Sequence, residues 1–341
     1  MKVLLTGCFG FIGSHVAARL LQNSYKVLGF DNLTNPSINP TDRIKQVAGE
    51  NWKNLTFFNQ DIRGRSGMLS ICAVEKPDAI VHLAALGSIS RSFADPSETI
   101  DVNERGFANV LCLASAIGIK RVVFASSSNV YGDSKNDPKR EGEEGQPQNP
   151  YGLSKRQNEI MARIWQQKTG IEYIGLRFFN VYGPGQNPNG PYAAVIPRFI
   201  MDKELTIYGD GSNTRDFTFV GDVAETIHRF LYSEAANFCV NVGAGEKTSI
   251  LELAHILADG RNIVHKEARA GEIKHSRAAV GNLKRILSYS PTTSLRDGLM
   301  QTVEYYKWLR NQAQDGRSNQ DKVATQMEAQ QSPERSETSA N

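Results

Sequence analysis

The sequence predicts an α/β protein, a doubly wound parallel sheet joined to a second, smaller α/β lobe. Three observations lead there. Short β-rich runs at 2–6, 25–30, 55–59, 79–84, 121–126 and 173–178 alternate with helix-like segments, the order that builds a parallel sheet through crossover helices. Two of them, 79–84 and 121–125, read as apolar runs rather than as alternating ones, as strands covered on both faces do. The chain has 341 residues, 40% hydrophobic and 22% charged, enough to bury a substantial core.

The first run leads into Gly7-Cys8-Phe9-Gly10-Phe11-Ile12-Gly13, and a helix-like stretch at 14–21 follows. Strand, glycine loop and helix start in that order suit an anion. The first glycine makes the tight turn, the second lets the backbone approach, and the third lets helix and strand pack closely. The helix N-terminus then presents free N–H groups. Gly7, Gly10 and Gly13 therefore read as a dinucleotide pyrophosphate site on a Rossmann sheet. Asp31 immediately follows the second run, eighteen positions after Gly13. A carboxylate there accepts from ribose hydroxyls and repels a 2′-phosphate, so NAD is expected rather than NADP. Asp61-Ile62 and Leu83-Ala84-Ala85 follow the third and fourth runs, at the strand ends where such sheets bind ligands.

The fifth run ends in Ser126-Ser127-Ser128-Asn129, and Tyr151-Gly152-Leu153-Ser154-Lys155 opens the next helix. Four residues apart, Tyr151 and Lys155 share one helix face. A phenol of ordinary pKa about 10 becomes a usable base when an ammonium and a cationic nicotinamide ring favour its phenolate. Tyr151 can then exchange a proton with a sugar hydroxyl that a hydroxyl of the serine run also touches.

Past Arg177 the chain turns to loops rich in Gly, Pro and Asn, while a helix at 223–233 and a strand at 238–242 are expected to return to the sheet. The expected division is an NAD-binding domain at 1–176 with 218–245 returning to it, and a substrate-binding lobe at 177–217 and 246–311. From 315 to 341 the chain has no aromatic residue, Leu or Ile, and that tail is expected to be unstructured.

A net charge of +3 spread over scattered Lys and Arg residues gives no nucleic-acid patch. Cys8, Cys72, Cys112 and Cys239 stand far apart and read as reduced, structural thiols, with no metal site. The first residues lack a signal-peptide pattern and no apolar run nears the roughly 20 residues that span a bilayer. A soluble cytoplasmic protein without a membrane partner is expected.

On the glycine loop, Asp31, the serine run and Tyr151/Lys155, the chain resembles the extended short-chain dehydrogenase/reductase family, and within it the nucleotide-sugar 4-epimerases, from Met1 to Leu309. The resemblance implies Ser127, Tyr151 and Lys155 as the catalytic triad. It places NAD against Gly7, Gly10, Gly13, Phe11, Ile12, Asp31, Asn32, Asp61, Ile62, Leu83, Ala84, Ala85, Asn103, Ser126, Tyr151, Lys155 and Phe179. The sugar-nucleotide motifs Arg177-Phe178-Phe179-Asn180, Leu205-Thr206-Ile207-Tyr208-Gly209, Thr214-Arg215-Asp216-Phe217 and Arg269-Ala270-Gly271-Glu272 are present. They imply Asn180, Arg215 and Arg269 on a diphosphate and Glu272 on a uridine ribose, with Ser88, Val195 and Tyr208 also facing substrate beside Ser127 and Tyr151. Arg fits phosphate as a charged fork, and a carboxylate fits a diol.

Relatives that dehydrate carry an Asp-Glu pair just after the catalytic hydroxyl; here stand Ser128 and Asn129, neither an acid nor a base. The remaining reaction forms a 4-keto sugar and returns hydride to its other face. Ser276 occupies the family's gate on the C2 substituent and leaves room for an acetamido group. A UDP-N-acetylhexosamine is thus the expected substrate, UDP-glucose, UDP-hexuronic acids and 4,6-dehydration being the alternatives. A non-catalytic NAD-sensing scaffold would predict loss of the Tyr/Lys pair, which is intact. The resemblance also implies a homodimer through 97–117 and 151–170. Arg91 reads equally as a sugar contact or as a loop support.

Overall fold

In a computed structural model, the backbone is described for residues 1–188, 194–268 and 274–330, and side chains to 312. The first part runs β1 (Lys2–Thr6), α1 (Phe11–Gln22), β2 (Lys26–Asp31), α2 (Pro40–Ala48), β3 (Leu55–Asn59), α3 (Arg65–Glu75), β4 (Ala79–His82), α4 (Ile89–Ala94), α5 (Pro96–Ile100), α6 (Gly106–Ile117), β5 (Arg121–Ser127), α7 (Pro150–Thr169) and β6 (Glu172–Phe178). Next come β7 (Val181–Tyr182), α8 (Val195–Met201), β8 (Leu205–Tyr208), β9 (Thr214–Arg215), β10 (Thr218–Phe219), α9 (Val220–Tyr232) and β11 (Phe238–Val242). The last are β12 (Thr248–Ser249), α10 (Ile250–Leu257), β13 (Ile263–Lys266), β14 (His275–Ser276), α11 (Gly281–Leu287) and α12 (Leu295–Gln330).

Seven strands form one parallel sheet in the order β11-β6-β5-β4-β1-β2-β3. The order reverses between β1 and β4, where such sheets hold ligands at their carboxyl edge. The apolar runs are explained by cover on both faces. Leu4, Leu28, Ile80 and Val122 pack with Met68 and Cys72 of α3 and Val110 and Leu113 of α6. Val3, Leu5, Val27, Val81 and Val123 pack with Val16 and Leu20 of α1 and Val223, Ile227 and Phe230 of α9.

Some boundaries differ from the sequence expectation, each for a local reason. β4 stops at His82 because the N–H groups of Leu83 and Ala84 turn to Thr6, at 3.1 Å to its carbonyl and 3.3 Å to its hydroxyl. The stretch expected as one helix over 97–117 is α5, a π-helical turn Asp101–Arg105 and α6. Such wide turns re-aim a side chain, and this one presents Asn103. The segment expected to lack structure from 315 instead continues α12 to Gln330; Gln, Lys, Ala, Met and Glu there favour helix without an apolar anchor. Residues 331–341 lie outside the description.

The second region is made of small sheets, β10-β7, β12-β9-β14 and β13-β8. They surround a core of their own, including Phe199, Leu205, Phe217, Phe219, Leu253 and Tyr306. All four cysteines are free. Among the described residues no helix is long and apolar enough to cross a membrane.

Candidate active site

The glycine loop closes over β1 as its residue types require. Gly7 has φ +72°, and a Cβ on it would stand 2.7 Å from the Ala84 nitrogen. A Cβ on Gly13 would overlap the Gly7 carbonyl oxygen, and one on Gly10 would lie 3.2 Å from it. The loop is a cradle that side chains would fill, opening on the start of α1, where Phe11, Ile12 and Gly13 are the first helical residues. Their N–H groups precede the helical bonding pattern and face outward. These residues fit a dinucleotide pyrophosphate.

Asp31 braces this cradle as well as facing it. Its carboxylate accepts from Phe9 N–H at 2.9 Å and from Leu33 N–H at 2.8 Å. Asn32 donates to Asp61 at 2.9 Å, and Arg63 reaches both oxygens of Asp61 at 3.0 and 2.7 Å. The Arg63 bonds hold the Asp61 carboxyl well below the usual carboxylate range. Ile62 is buried against α6, where its side chain limits Gly106 to glycine. Asn103, from the π-helical turn, clamps the loop after β4: it accepts from Leu86 N–H at 2.8 Å and donates to Leu86 O at 3.1 Å and Ser154 Oγ at 3.0 Å. The loop of Leu83, Ala84 and Ala85 is thereby tied to the helix of Tyr151.

The structure brings Ser127, Tyr151 and Lys155 together. Helix α7 begins there because Asn149 caps it, its Oδ1 accepting from Gly152 N–H at 2.7 Å, with Pro150 in the first turn. Ser127 stands beside the Tyr151 phenol and acts to lower its pKa. Lys155 Nζ lies 6.0 Å from the Tyr151 ring centroid and donates to Ala125 O at 2.9 Å. Burial pushes the Tyr151 phenol up, opposed by Ser127, and pulls the Lys155 ammonium down to about 8. Both shifts have one cause, since desolvation disfavours whichever form is charged.

Asn129 has a role that sequence reasoning touched only by exclusion. Its backbone N–H and its Nδ2 both donate to Ser127 Oγ, each at 3.1 Å. A hydroxyl whose acceptor positions are filled has its own proton left to donate. Ser127 is therefore set to donate to the phenolate or to a substrate oxygen.

Behind this group lies a buried polar network that sequence reasoning missed. Ser126 Oγ donates to Glu159 at 2.6 Å, and Arg177 meets Glu159 with two bonds of 2.8 Å. Arg177 also donates to Tyr131 at 3.0 Å and pairs with Glu144, while Tyr131 donates to Asn241 at 2.6 Å. Four elements, β5, β6, α7 and β11, are thus joined beneath Ser127. The Ser126 hydroxyl faces this network rather than the cleft. Phe179, expected beside the cofactor, has a side chain enclosed with Val130, Tyr131 and Ala278. The only sequence signal was the position of Glu159, four residues after Lys155 on α7 and so one turn farther along the same face.

The expected substrate residues approach from the second region. Asn180, at φ +28°, donates to Asp216 O at 3.2 Å. Arg215 and Ser276 stand opposite each other in the parallel β9–β14 pairing. Tyr208 pairs with Lys266 across β8 and β13, and Val195 opens α8. Ser88 caps α4 by accepting from Arg91 N–H at 3.2 Å, and Arg91 pairs with Glu98 at 2.7 Å, a loop support. Arg269 and Glu272 lie outside the described residues. The Asp216 carboxylate, wholly buried, accepts from the N–H groups of Ala244, Gly245 and Ala278 at 2.9, 3.0 and 3.0 Å. Burial raises it to about 6.

Known proteins resemble this chain along most of its length. The model of the NAD dependent epimerase/dehydratase family matches residues 3–243. A Bacillus subtilis protein described as an uncharacterised UDP-glucose epimerase is 32% identical over 318 residues, 91% of this chain and 99% of its own length. A UDP-N-acetylglucosamine 4-epimerase from Methanobrevibacter ruminantium, solved with UDP-N-acetylmuramic acid, superposes with a TM-score of 0.83 at 32% identity, over 90% of this chain and 98% of that one. A UDP-glucuronic acid 4-epimerase variant from Bacillus cereus, solved with a fluorinated UDP-glucuronic acid and NAD, gives 0.81 at 30% identity, over 91% and 100%.

Proposed function

The chain belongs to the NAD dependent epimerase/dehydratase family, with NAD as its cofactor, and within that family we propose that it 4-epimerises a UDP-N-acetylhexosamine, interconverting UDP-N-acetylglucosamine and UDP-N-acetylgalactosamine. Bound NAD supplies a hydride acceptor for C4 of the sugar and the same hydride for its return. Tyr151, as phenolate, takes the O4 proton; Ser127, fed by the two Asn129 donors, hydrogen-bonds the developing carbonyl oxygen. Lys155 holds a positive charge beside the phenolate. The proton goes back from Tyr151 to O4 once the 4-keto sugar has presented its other face. No side chain of Ser128 or Asn129 can remove a C5 proton, so dehydration is disfavoured. The glycine cradle and Asp31 hold the cofactor, and Asn180 and Arg215 take the diphosphate.

The observation that carries the substrate is Ser276. It is small and lies in register with Arg215, so the residue beside the diphosphate arginine leaves space for a C2 acetamido group. Purified protein given UDP-N-acetylglucosamine, without added NAD, should yield an equilibrium mixture with UDP-N-acetylgalactosamine. A 4-keto-6-deoxy product would overturn the reading, and equal or faster turnover of UDP-glucose or UDP-glucuronate would transfer it to those sugars. The reading includes a homodimer through the face of α5 to α7, where Ile100, Leu153 and Ile164 are exposed; light scattering measures it.

A further inference from the structure

The segment after Asp31 leaves the sheet and returns to the glycine loop, so that both of its feet hold the same residue. Asp31 accepts from Phe9 N–H at 2.9 Å, and Ser37 N–H donates to Phe9 O at 2.7 Å. What fastens the second foot is a buried arginine. The guanidinium of Arg43, 7% exposed, donates to Ser37 Oγ at 2.9 Å and to Ser14 Oγ on the first turn of α1. It also reaches Ile38 O at 3.5 Å and Pro184 O at 3.4 Å.

The loop after β7 closes the other side. Ser37 Oγ donates to Gly185 O at 2.5 Å, Ile38 N–H donates to the same oxygen at 3.1 Å, and His15 Nε2 bonds Pro184 O at 2.8 Å. Gly185 has φ +84°, and a Cβ there would collide with the guanidinium, so loop and arginine are fitted to each other. Burial, then the Arg43 charge, pulls His15 down to about 3, leaving it a neutral partner. From α12, Tyr305 donates to Ile38 O at 2.9 Å.

We infer that Arg43 is the latch that retains NAD: it locks the 32–38 segment against α1, the 184–186 loop and α12, so that the cofactor stays in place between turnovers. This rests on the proposed NAD role of Asp31 and the glycine loop. Arg43 touches none of the reacting atoms and is a positioning residue. Because the same planar fork reaches oxygens of three segments, the segment opens only when these bonds break together. An enzyme that returns its own hydride needs such retention, whereas one that exchanges NAD for NADH at every turnover would be slowed by it.

The test uses the full chain loaded with radiolabelled NAD, chased with excess unlabelled NAD, comparing wild type with Arg43→Met, Ser37→Ala and Tyr305→Phe. Loss of one hydrogen-bonding hydroxyl should speed release about 10-fold and loss of the guanidinium about 100-fold or more. Epimerase kcat at saturating NAD should stay within about twofold of wild type, which a general folding defect would not allow. If Arg43→Met does not fold, Tyr305→Phe decides, since it removes a single oxygen from a partly exposed side chain. Folded Ser37→Ala and Tyr305→Phe proteins that release label at the wild-type rate overturn the latch and leave NAD dependence intact. A wild type that binds no NAD overturns the latch and the functional reading together.

Discussion

Along the carboxyl edge of the sheet, Ser127 and Tyr151 stand on a seven-residue strand and a twenty-residue helix, while across from them Arg215 and Ser276 stand on strands of two residues. The first pair is held by backbone ladders and by the Arg177–Glu159 network beneath. The second pair is held by the short β12-β9-β14 ladder, by Thr214 bonded to His275 at 2.8 Å, and by the Asp216 carboxylate, which gathers two loops through three N–H groups. Proton transfer needs fixed distances between reacting groups, and long elements supply them. A sugar that must turn over between two hydride transfers needs a holder that can give, and strands of two residues, with few ladder bonds each, supply that. The edge should therefore govern kcat and the second region KM.

The strongest way to break this contrast is Tyr151→Phe, which should lower kcat by about 10³-fold while KM for the UDP-sugar stays within a few-fold; steady-state kinetics measures both, and unchanged epimerisation would sink the mechanism. Glu159→Gln strips a buried partner from Arg177 and should destabilise the fold by about 3–5 kcal/mol, read as a lower denaturant midpoint. Asp216→Ala orphans three buried N–H groups; it should raise KM several-fold and destabilise by about 1–3 kcal/mol, with kcat less affected than in any edge variant. An equal loss of kcat in Asp216→Ala and Tyr151→Phe would erase the distinction.

Titration sharpens it further. Lys155 falls from 10.5 unfolded to about 8 folded, so between those values the unfolded chain binds more protons and stability rises with pH. Activity should fall as pH passes through about 8, where the folded chain loses the ammonium, and Lys155→Met should remove both slopes. Asp216 rises from 3.8 to about 6; there the folded chain binds more protons, and stability should fall as pH climbs through that window. Melting temperatures across pH 3 to 11 would show both trends, and Asp216→Ala should erase only the acid one. A change of preference is also expected: Ser276→Tyr should favour UDP-glucose over UDP-N-acetylglucosamine by about 10-fold, measured as a ratio of kcat/KM.

Much of the edge was legible in the chain. The glycine spacing, Asp31 and the Tyr151–Lys155 pair are local patterns, each within one turn or one loop, and the alternation of apolar runs with helices gave the sheet. The second region was less legible. Its strands are too short to show a period, and Arg215 meets Ser276 only through pairing across sixty positions. Asn103 read as a cofactor residue, and its bonds to Leu86 and Ser154 were not legible, because the π-helical turn that aims it leaves no trace in composition. Arg177 read as part of a sugar-nucleotide motif, yet its partners come from α7, from Tyr131 and from the segment before Asn149.

By itself, then, the sequence determined the sheet and the cofactor type and named the candidates for proton transfer, since these depend on local spacing and on side-chain chemistry. Only the tertiary structure decided how those residues are held: Asn129 feeding Ser127, Glu159 and Arg177 beneath them, Asp216 gathering the second region, and Arg43 fastening the loop after Asp31. The reason is physical. A buried polar group must find partners wherever the fold brings them, and those partners come from segments that no local pattern links.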